Sequence, residues 1–225
     1  ADLYVLNTCA VTAEAERKSR QAVGRALKYN PAAKVVVCGC ASQKSPAAFA
    51  GKPNVIVVAG ARRKGKILDI AAQGFPDALC GVLVDEGEGA YDELPVPECL
   101  KTRNFVKIQD GCDRFCSYCV IPYLRGRSRS RSLESAAAEI LKSDALETVV
   151  TGIDISSYRD EKGRGLAGLL TAVKDADTRI RLGSLEVSLI TDDFLRAAKG
   201  VKNFAPQFHL SLQSGSDRVL KSMNR

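Results

Sequence analysis

Short apolar runs alternate with helix-length stretches along most of the chain, and this rhythm restricts the fold more than any other feature. LYVLNT, KVVVCGC and NVIVVAG read as strands. A helix capped by Thr12, with Glu14 and Glu16 in its first turn, runs to about Tyr29, where Asn30-Pro31 stops it. SQKSPAAFA reads as a short helix and KGKILDIAAQG as a helix with a terminal glycine. Strands alternating with helices predict a parallel sheet with helices on its faces. The rhythm resumes after residue 100. NFVKIQDG, ETVVTGIDIS, RIRLGSLEVS and FAPQFHLSLQSGS supply strands. LESAAAEILKSDA (capped by Ser132), GLAGLLTAVKDA, TDDFLRAAKG (capped by Thr191) and SDRVLKSMNR supply helices. Four successive βα units predict a barrel or partial barrel. The fold class is therefore α/β in both halves.

Between the halves, GVLVDEGEGAYDELPVPE holds six acids, no Lys or Arg, three Gly and two Pro. That composition reads as a connection, giving a first domain over 1–80, an acidic Gly/Pro linker over 81–100 and a second domain over 101–225.

The chemistry concentrates in one stretch, GCDRFCSYCVIPYLRGRSRSR, at 111–131. Cys112, Cys116 and Cys119 form a Cys-x3-Cys-x2-Cys run with no histidine nearby. Thiolates are soft ligands for iron–sulfur clusters, zinc or copper(I). Three close thiolates suit three irons of a four-iron cluster with the fourth iron open. A zinc loop completed by a distant cysteine is the alternative. Arg125, Arg127, Arg129 and Arg131 alternate behind the cysteines. In an extended segment they would share one face and track phosphates; a solvated basic loop is the other reading.

Charge and composition narrow the function classes. Net charge is +7, and residues 101–131 hold eight Lys or Arg against two Asp, so the excess is localised and favours an anionic partner. His209 is the single histidine, which leaves no room for a zinc enzyme built on several histidines. No apolar stretch has the length of a membrane span and no secretory signal is present. Eight cysteines in two groups point to metal or redox use in a reducing compartment rather than a disulfide framework. Cys9 and Cys40 both follow predicted strands, so a parallel sheet can bring them to one edge; two inert buried thiols is the plain alternative. Cys38, two residues from Cys40, would share its side of an extended strand. Cys80 and Cys99 match no motif.

The run Cys112-x3-Cys116-x-Tyr118-Cys119 resembles the signature of the radical S-adenosylmethionine (SAM) superfamily, and VIPYLRGRSRSR resembles its methylthiotransferase family. The resemblance implies a radical SAM 4Fe–4S cluster on Cys112, Cys116 and Cys119, with SAM chelating the open iron. Reductive cleavage of SAM would then yield a 5′-deoxyadenosyl radical. NTCAVT and GCASQ resemble two of three cysteine motifs of a flavodoxin-like N-terminal methylthiotransferase domain, implying an auxiliary 4Fe–4S cluster on Cys9 and Cys40. The second domain is expected to be a truncated (βα)6-type partial TIM barrel. Strand-end residues of that barrel are the expected SAM contacts: Tyr118, Thr151, Gly152, Glu186, Ser211 and Gln213. Each of these has a plain packing or ion-pairing alternative.

RGRSRSR and TGIDISSY look most like the subfamily that adds a methylthio group to C2 of N6-threonylcarbamoyladenosine at position 37 of tRNA. Asp154 departs from the His or Asn usual after TGI. Isopentenyladenosine in tRNA and a ribosomal-protein aspartate are the alternative substrates. A metal-stabilised RNA-binding module is the alternative of another class. The implied partners are tRNA, contacted by Arg125, Arg127, Arg129 and Arg131, and an electron donor such as a flavodoxin or ferredoxin. Neither DNA nor a membrane is expected, and the expected location is cytoplasmic. The chain has no initiator Met and ends inside a helical pattern. It therefore reads as a fragment lacking the third auxiliary cysteine motif, two barrel units and the C-terminal RNA-binding TRAM domain, and as inactive by itself.

Overall fold

The computed structural model describes residues 1–62, 64–72, 81–84, 89–96 and 101–225. Cys80 and Cys99 lie outside them. Two compact units are present: 1–94 with 119–125, and 95–118 with 126–225.

The first unit is built on four parallel strands. The order along the chain is β1 (Leu3–Thr8), α1 (Ala13–Tyr29), β2 (Lys34–Gly39), α2 (Cys40–Lys44), α3 (Ala47–Ala50), β3 (Val55–Ala59), α4 (Gly65–Ala72) and β4 (Gly81–Leu83), with strands side by side as β1-β2-β3-β4. Thr12 caps α1 as expected, its hydroxyl accepting from Ala15 N at 3.1 Å. Every residue of β3 and all but the first of β2 are buried, as a parallel strand covered on both faces requires. Successive β2 residues divide between two cores: Val35 and Val37 pack with Val23, Phe49 and Val58, while Val36 and Cys38 pack with Ile56 and Ile67.

Three expectations for this unit are corrected. Residues 81–100 are not connection alone, because Gly81–Leu83 pairs parallel to Val57–Ala59 as the edge strand. SQKSPAAFA is two short helices, divided where Ser45 ends the first and Pro46 precedes the second. Cys38 and Cys40 do not share a side. Gly39 adopts φ +106°, the strand stops there, and Cys40 opens α2 in the core opposite that of Cys38. The segment 119–125 also joins this unit, as α5 (Ile121–Arg125), which buries Leu124 against the core containing Val23, Cys40 and Ala41.

The second unit follows the expected βα rhythm: β5 (Arg103–Asp110), β6 (Arg129–Ser130), α6 (Leu133–Leu141), β7 (Glu147–Gly152), α7 (Leu166–Ala172), β8 (Arg179–Leu182), β9 (Ser184–Leu185), α8 (Asp192–Gly200), β10 (His209–Leu210) and α9 (Asp217–Ser222). β5, β7 and β8 are parallel neighbours, β6 adds antiparallel to β5, and β9 pairs parallel with β10. The four-stranded mixed sheet β6-β5-β7-β8 and the separate β9-β10 pair carry the βα units of a partial barrel. Ser132 and Thr191 cap α6 and α8 as predicted.

The predicted strands are shortened at their C-terminal ends, where backbone leaves the sheet. RIRLGSLEVS breaks at Gly183, ETVVTGIDIS ends at Gly152 before a single 3-10 turn at Ile155–Ser157, and FAPQFHLSLQSGS keeps only two strand residues. The core beneath is aliphatic and continuous, with Ile108, Ile140, Leu169, Leu170, Ile180 and Phe194 among its fully buried members. Among the described residues no helix is long and apolar enough to cross a membrane.

Candidate functional site

The cysteine loop leaves β5 through a turn that only glycine fits. Gly111 has φ +72°, and a Cβ there would stand 1.9 Å from Arg127 O. That closeness lets Cys112 N donate to Gly126 O at 3.1 Å, which closes the base of the loop. Gln109, fully buried, fixes the turn. Its Nε2 donates to Asp110 O (3.0 Å), Gly111 O (2.8 Å) and Ser128 Oγ (2.9 Å), and its Oε1 accepts from Asp154 N (2.7 Å). One side chain thus ties the start of the cysteine loop to the backbone after β7.

Further along, Phe115 sits at φ +48°, a strained setting for a bulky residue. Its carbonyl accepts from Asn224 Nδ2 at 2.9 Å and its ring lies 4.8 Å beneath the Arg127 guanidinium. Ser117 N donates to Met223 O at 3.0 Å, so the turn after α9 holds this loop by two backbone sites.

Charge is placed around the sulfur of Cys116. Arg225 donates from Nη1 to Cys116 Sγ at 3.6 Å, pairs with Glu186, and reaches Ser211 O at 3.4 Å. Cys116 is buried, with this guanidinium beside its sulfur. Tyr118 is more than half exposed; burial of its phenol and the neighbouring Cys116 push its pKa upward. Arg114, inside the loop, binds Asp154 at 3.1 Å and lies 3.9 Å from Glu186. Asp154, the departure from the usual His or Asn, is therefore the partner of a loop arginine.

The expected SAM contacts divide by setting. Thr151 and Gly152 end β7, half-buried. Glu186 follows β9, its amide donating to Ser156 Oγ at 2.8 Å and its carboxylate engaged by Arg225. Ser211 follows β10 and is half-buried, with its amide on Leu185 O. Gln213 is exposed at φ +61°.

In the first unit, β1 and β2 run in register to the pair Thr8–Gly39, so Cys9 and Cys40 each come one residue beyond the ends of adjacent strands. A Cβ on Gly39 would meet Thr8 O at 2.3 Å; glycine is what allows this approach. Thr8 Oγ1 donates to Cys38 O (2.7 Å) and accepts from Ser42 N (3.2 Å), and Ser19 Oγ bonds the Cys9 backbone on both sides. Arg125 Nε donates to Cys40 Sγ at 3.3 Å. Burial raises the pKa of the Cys38 thiol.

The four arginines do not form one face, which corrects the extended-strand reading. Arg125 ends α5 and points at Cys40. Gly126 at φ +77° interrupts the alternation. Arg127 is exposed, 3.5 Å from Asp113. Arg129 is mostly buried against Asp110 at 3.3 Å, and Arg131 is buried in an ion pair with Glu139.

All six described cysteines are free thiols. Among the described residues no three Cys, His, Asp or Glu side chains stand close enough together to ligate an ion as they are. The donor set fits a cluster by chemistry: three thiols within eight residues, on a loop whose turns are fixed from outside, with an arginine on the buried sulfur. Sequence reasoning missed Gln109, Arg114 and Arg225. A polar residue closing an apolar strand run, two positions before the loop glycine, was the available signal for Gln109.

Comparison with known proteins places the two halves of the chain in known families. Residues 1–60 match the profile of uncharacterized protein family UPF0004, and residues 106–225 match the radical SAM superfamily. The threonylcarbamoyladenosine tRNA methylthiotransferase MtaB of Chlamydia pneumoniae is 38% identical over 230 residues, covering 100% of this chain and 52% of that protein. The protein of the same name from Bacillus subtilis is 37% identical over 235 residues, with 100% and 52% covered. A tRNA-2-methylthio-N(6)-dimethylallyladenosine synthase of Novosphingobium aromaticivorans is 33% identical over 241 residues, with 100% and 53% covered. The chain spans about half the length of these curated relatives. Because the second profile takes in more than half of its residues and begins within the strand that feeds the three-cysteine loop, the chain belongs to the radical SAM superfamily.

Proposed function

We propose that this chain is the catalytic part of a tRNA methylthiotransferase acting at C2 of N6-threonylcarbamoyladenosine at position 37. The observation that carries the proposal is the pairing of two thiol sets in one chain: the three-cysteine loop after β5, and Cys9 with Cys40 at the ends of adjacent strands. A radical SAM enzyme that only cleaves its cofactor has no use for the second set. The full-length similarity to threonylcarbamoyladenosine enzymes supports the choice of substrate.

In this reading Cys112, Cys116 and Cys119 hold the radical SAM 4Fe–4S cluster, and Cys9 and Cys40 contribute to an auxiliary one. When bound, reduced cluster and SAM together supply a carbon radical able to take hydrogen from an unactivated carbon. The chain's own residues bind and orient. Gln109 and Gly111 set the loop's exit angle, and Arg225 holds both Cys116 and Glu186. Glu186, with one oxygen engaged by Arg225, presents carboxylate to ribose hydroxyls. Thr151, Gly152, Ser211, Gln213 and Tyr118 would contact SAM. Arg125 places positive charge at Cys40, where an anionic cluster would be held. Of the arginine run, exposed Arg127 is the residue for a substrate phosphate, while Arg129 and Arg131 brace the loop. tRNA, an electron donor such as a flavodoxin or ferredoxin, and a cytoplasmic site of action complete the proposal.

The test is anaerobic reduction of the cluster-loaded full-length protein with SAM, measuring 5′-deoxyadenosine. Formation by the wild type, abolished in Cys112→Ala, Cys116→Ala and Cys119→Ala, is expected. Undiminished formation by these variants would overturn the cluster assignment. No formation by a cluster-replete wild type would favour a metal-stabilised RNA-binding module.

A further inference from the structure

Helix α1 carries a second basic surface, in the first unit and apart from the arginine run. From residue 17 to 28 it has five cations and no acid; both its acids, Glu14 and Glu16, lie in the first turn. Val23 and Ala26 are buried toward the sheet, so the cations fall on the outer side. At 100° per residue, positions 17, 21, 24, 25 and 28 occupy one outer arc. Along this arc runs an open groove of about 730 Å³, lined by Arg17, Lys18, Arg20, Arg25, Lys28 and Lys52.

The cations divide into two classes. Arg17 binds Glu14 at 2.7 Å, Lys18 lies 3.5 Å from Glu14, and Arg20 binds Glu16 at 2.7 Å. Arg25, Lys28 and Lys52 have no carboxylate within ion-pair distance among the described residues. Nothing lies within 4 Å of a Cβ built on Gly24, so the floor of the groove is open backbone between them. Tyr29, next to Lys28, is 83% exposed, an aromatic face with no packing role of that size. Unpaired cations about a helix turn apart beside an open aromatic ring are what a nucleic-acid backbone with accessible bases requires. From residue 17 to 28 the helix rises about 16 Å, the axial length of roughly five phosphates of one strand.

We propose that this face of α1, with Lys52 and Tyr29, binds the phosphate backbone of an RNA. It rests on the tRNA reading above for which RNA is bound. A solvated cationic helix would be balanced by acids along its length, and residues 17–28 have none.

The experiment measures binding of an unmodified tRNA transcript by the cluster-loaded full-length protein across a salt series. The variants are Arg25→Gln with Lys28→Gln and Lys52→Gln, and separately Gly24→Glu. Glutamate at an open helical glycine improves helix propensity, so folding is not at risk. The triple variant is expected to bind at least tenfold more weakly at low salt and to lose about two units of the log–log salt slope. Gly24→Glu is expected to weaken binding with the fold intact. An unchanged slope and affinity in both variants would overturn this inference and leave the proposed function standing. A fall in slope, together with no methylthio adduct on threonylcarbamoyladenosine in the tRNA of a host expressing the cluster-loaded full-length protein, would keep the inference and overturn the proposed function. A wild type that binds no tRNA would overturn both.

Discussion

Replacing Gln109 by leucine removes the side chain that joins the cysteine loop to the β7 exit while nearly conserving its volume. Four contacts of 2.7–3.0 Å are lost, equivalent to three hydrogen bonds because the amide shares its two hydrogens among three acceptors, and the side chain has no exposed surface through which water could replace them. At about 1 kcal/mol net for each bond, the loss comes to roughly 3 kcal/mol. Gly111 O is buried, so stranding it keeps the figure from being smaller. Against a domain stability of about 5–15 kcal/mol this is a large fraction. In a chain of this size it lowers the melting temperature by roughly 10 °C. The assay is thermal and urea unfolding of the full-length protein, with iron content and the cluster's spectroscopic signature alongside. A general packing defect would leave that signature unchanged in whatever protein remains folded, whereas a misdirected loop alters it. A loss below about 1 kcal/mol with an unaltered signature would refute the role given to Gln109.

Other expectations follow from single contacts. Gly111→Ala forces a Cβ to within 1.9 Å of Arg127 O at φ +72°, so iron retention should fall sharply; wild-type iron content in this variant would contradict the turn described. Arg131→Ala strands the buried carboxylate of Glu139 and should cost about 3–5 kcal/mol in denaturant unfolding. Arg131→Met with Glu139→Leu should recover most of that cost. Arg164 holds the Glu134 carboxyl down to about 2 and that of Asp160 below its ordinary value. Because these folded-state values lie below the unfolded ones, their contribution is present above about pH 4.5 and is lost as pH falls toward 2. Arg164→Gln should flatten the acid limb of a melting-temperature profile, and an unchanged limb would exclude this pairing as its source.

Much of the fold was legible because local and global signals agree. β2 and β3 are runs of β-branched residues buried on both faces, and the Thr12, Ser132 and Thr191 caps stand where helices begin. The strand-end placement of Cys9 and Cys40 was legible for the same reason, since a parallel sheet puts such ends on one edge. Pattern reading failed where tertiary partners decide. Alternating arginines imply one face only if the segment is extended. Arg125 is instead helical, and Arg129 and Arg131 are claimed by Asp110 and Glu139. IPYLR is too short to show a helical period, and its helix is secured by packing Leu124 into the first unit's core. Gly39 carried no visible sign of the turn that separates Cys38 from Cys40, because its positive φ follows from the approach of Thr8 in a neighbouring strand. Arg225 could not be connected to Cys116 across 109 residues by any local rule.

The central claim is that the three-cysteine loop and the Cys9–Cys40 edge cooperate to place a methylthio group on a tRNA adenosine. The most direct measurement expresses the full-length gene in a host lacking methylthio-tRNA, digests the tRNA and examines its nucleosides by mass spectrometry. The account predicts a methylthio adduct on threonylcarbamoyladenosine, absent when Cys112, Cys116 and Cys119 are replaced by alanine and absent again when Cys9 and Cys40 are. An adduct on isopentenyladenosine would keep the chemistry and change the substrate. No adduct on any tRNA nucleoside from a protein shown to hold its clusters would contradict the account.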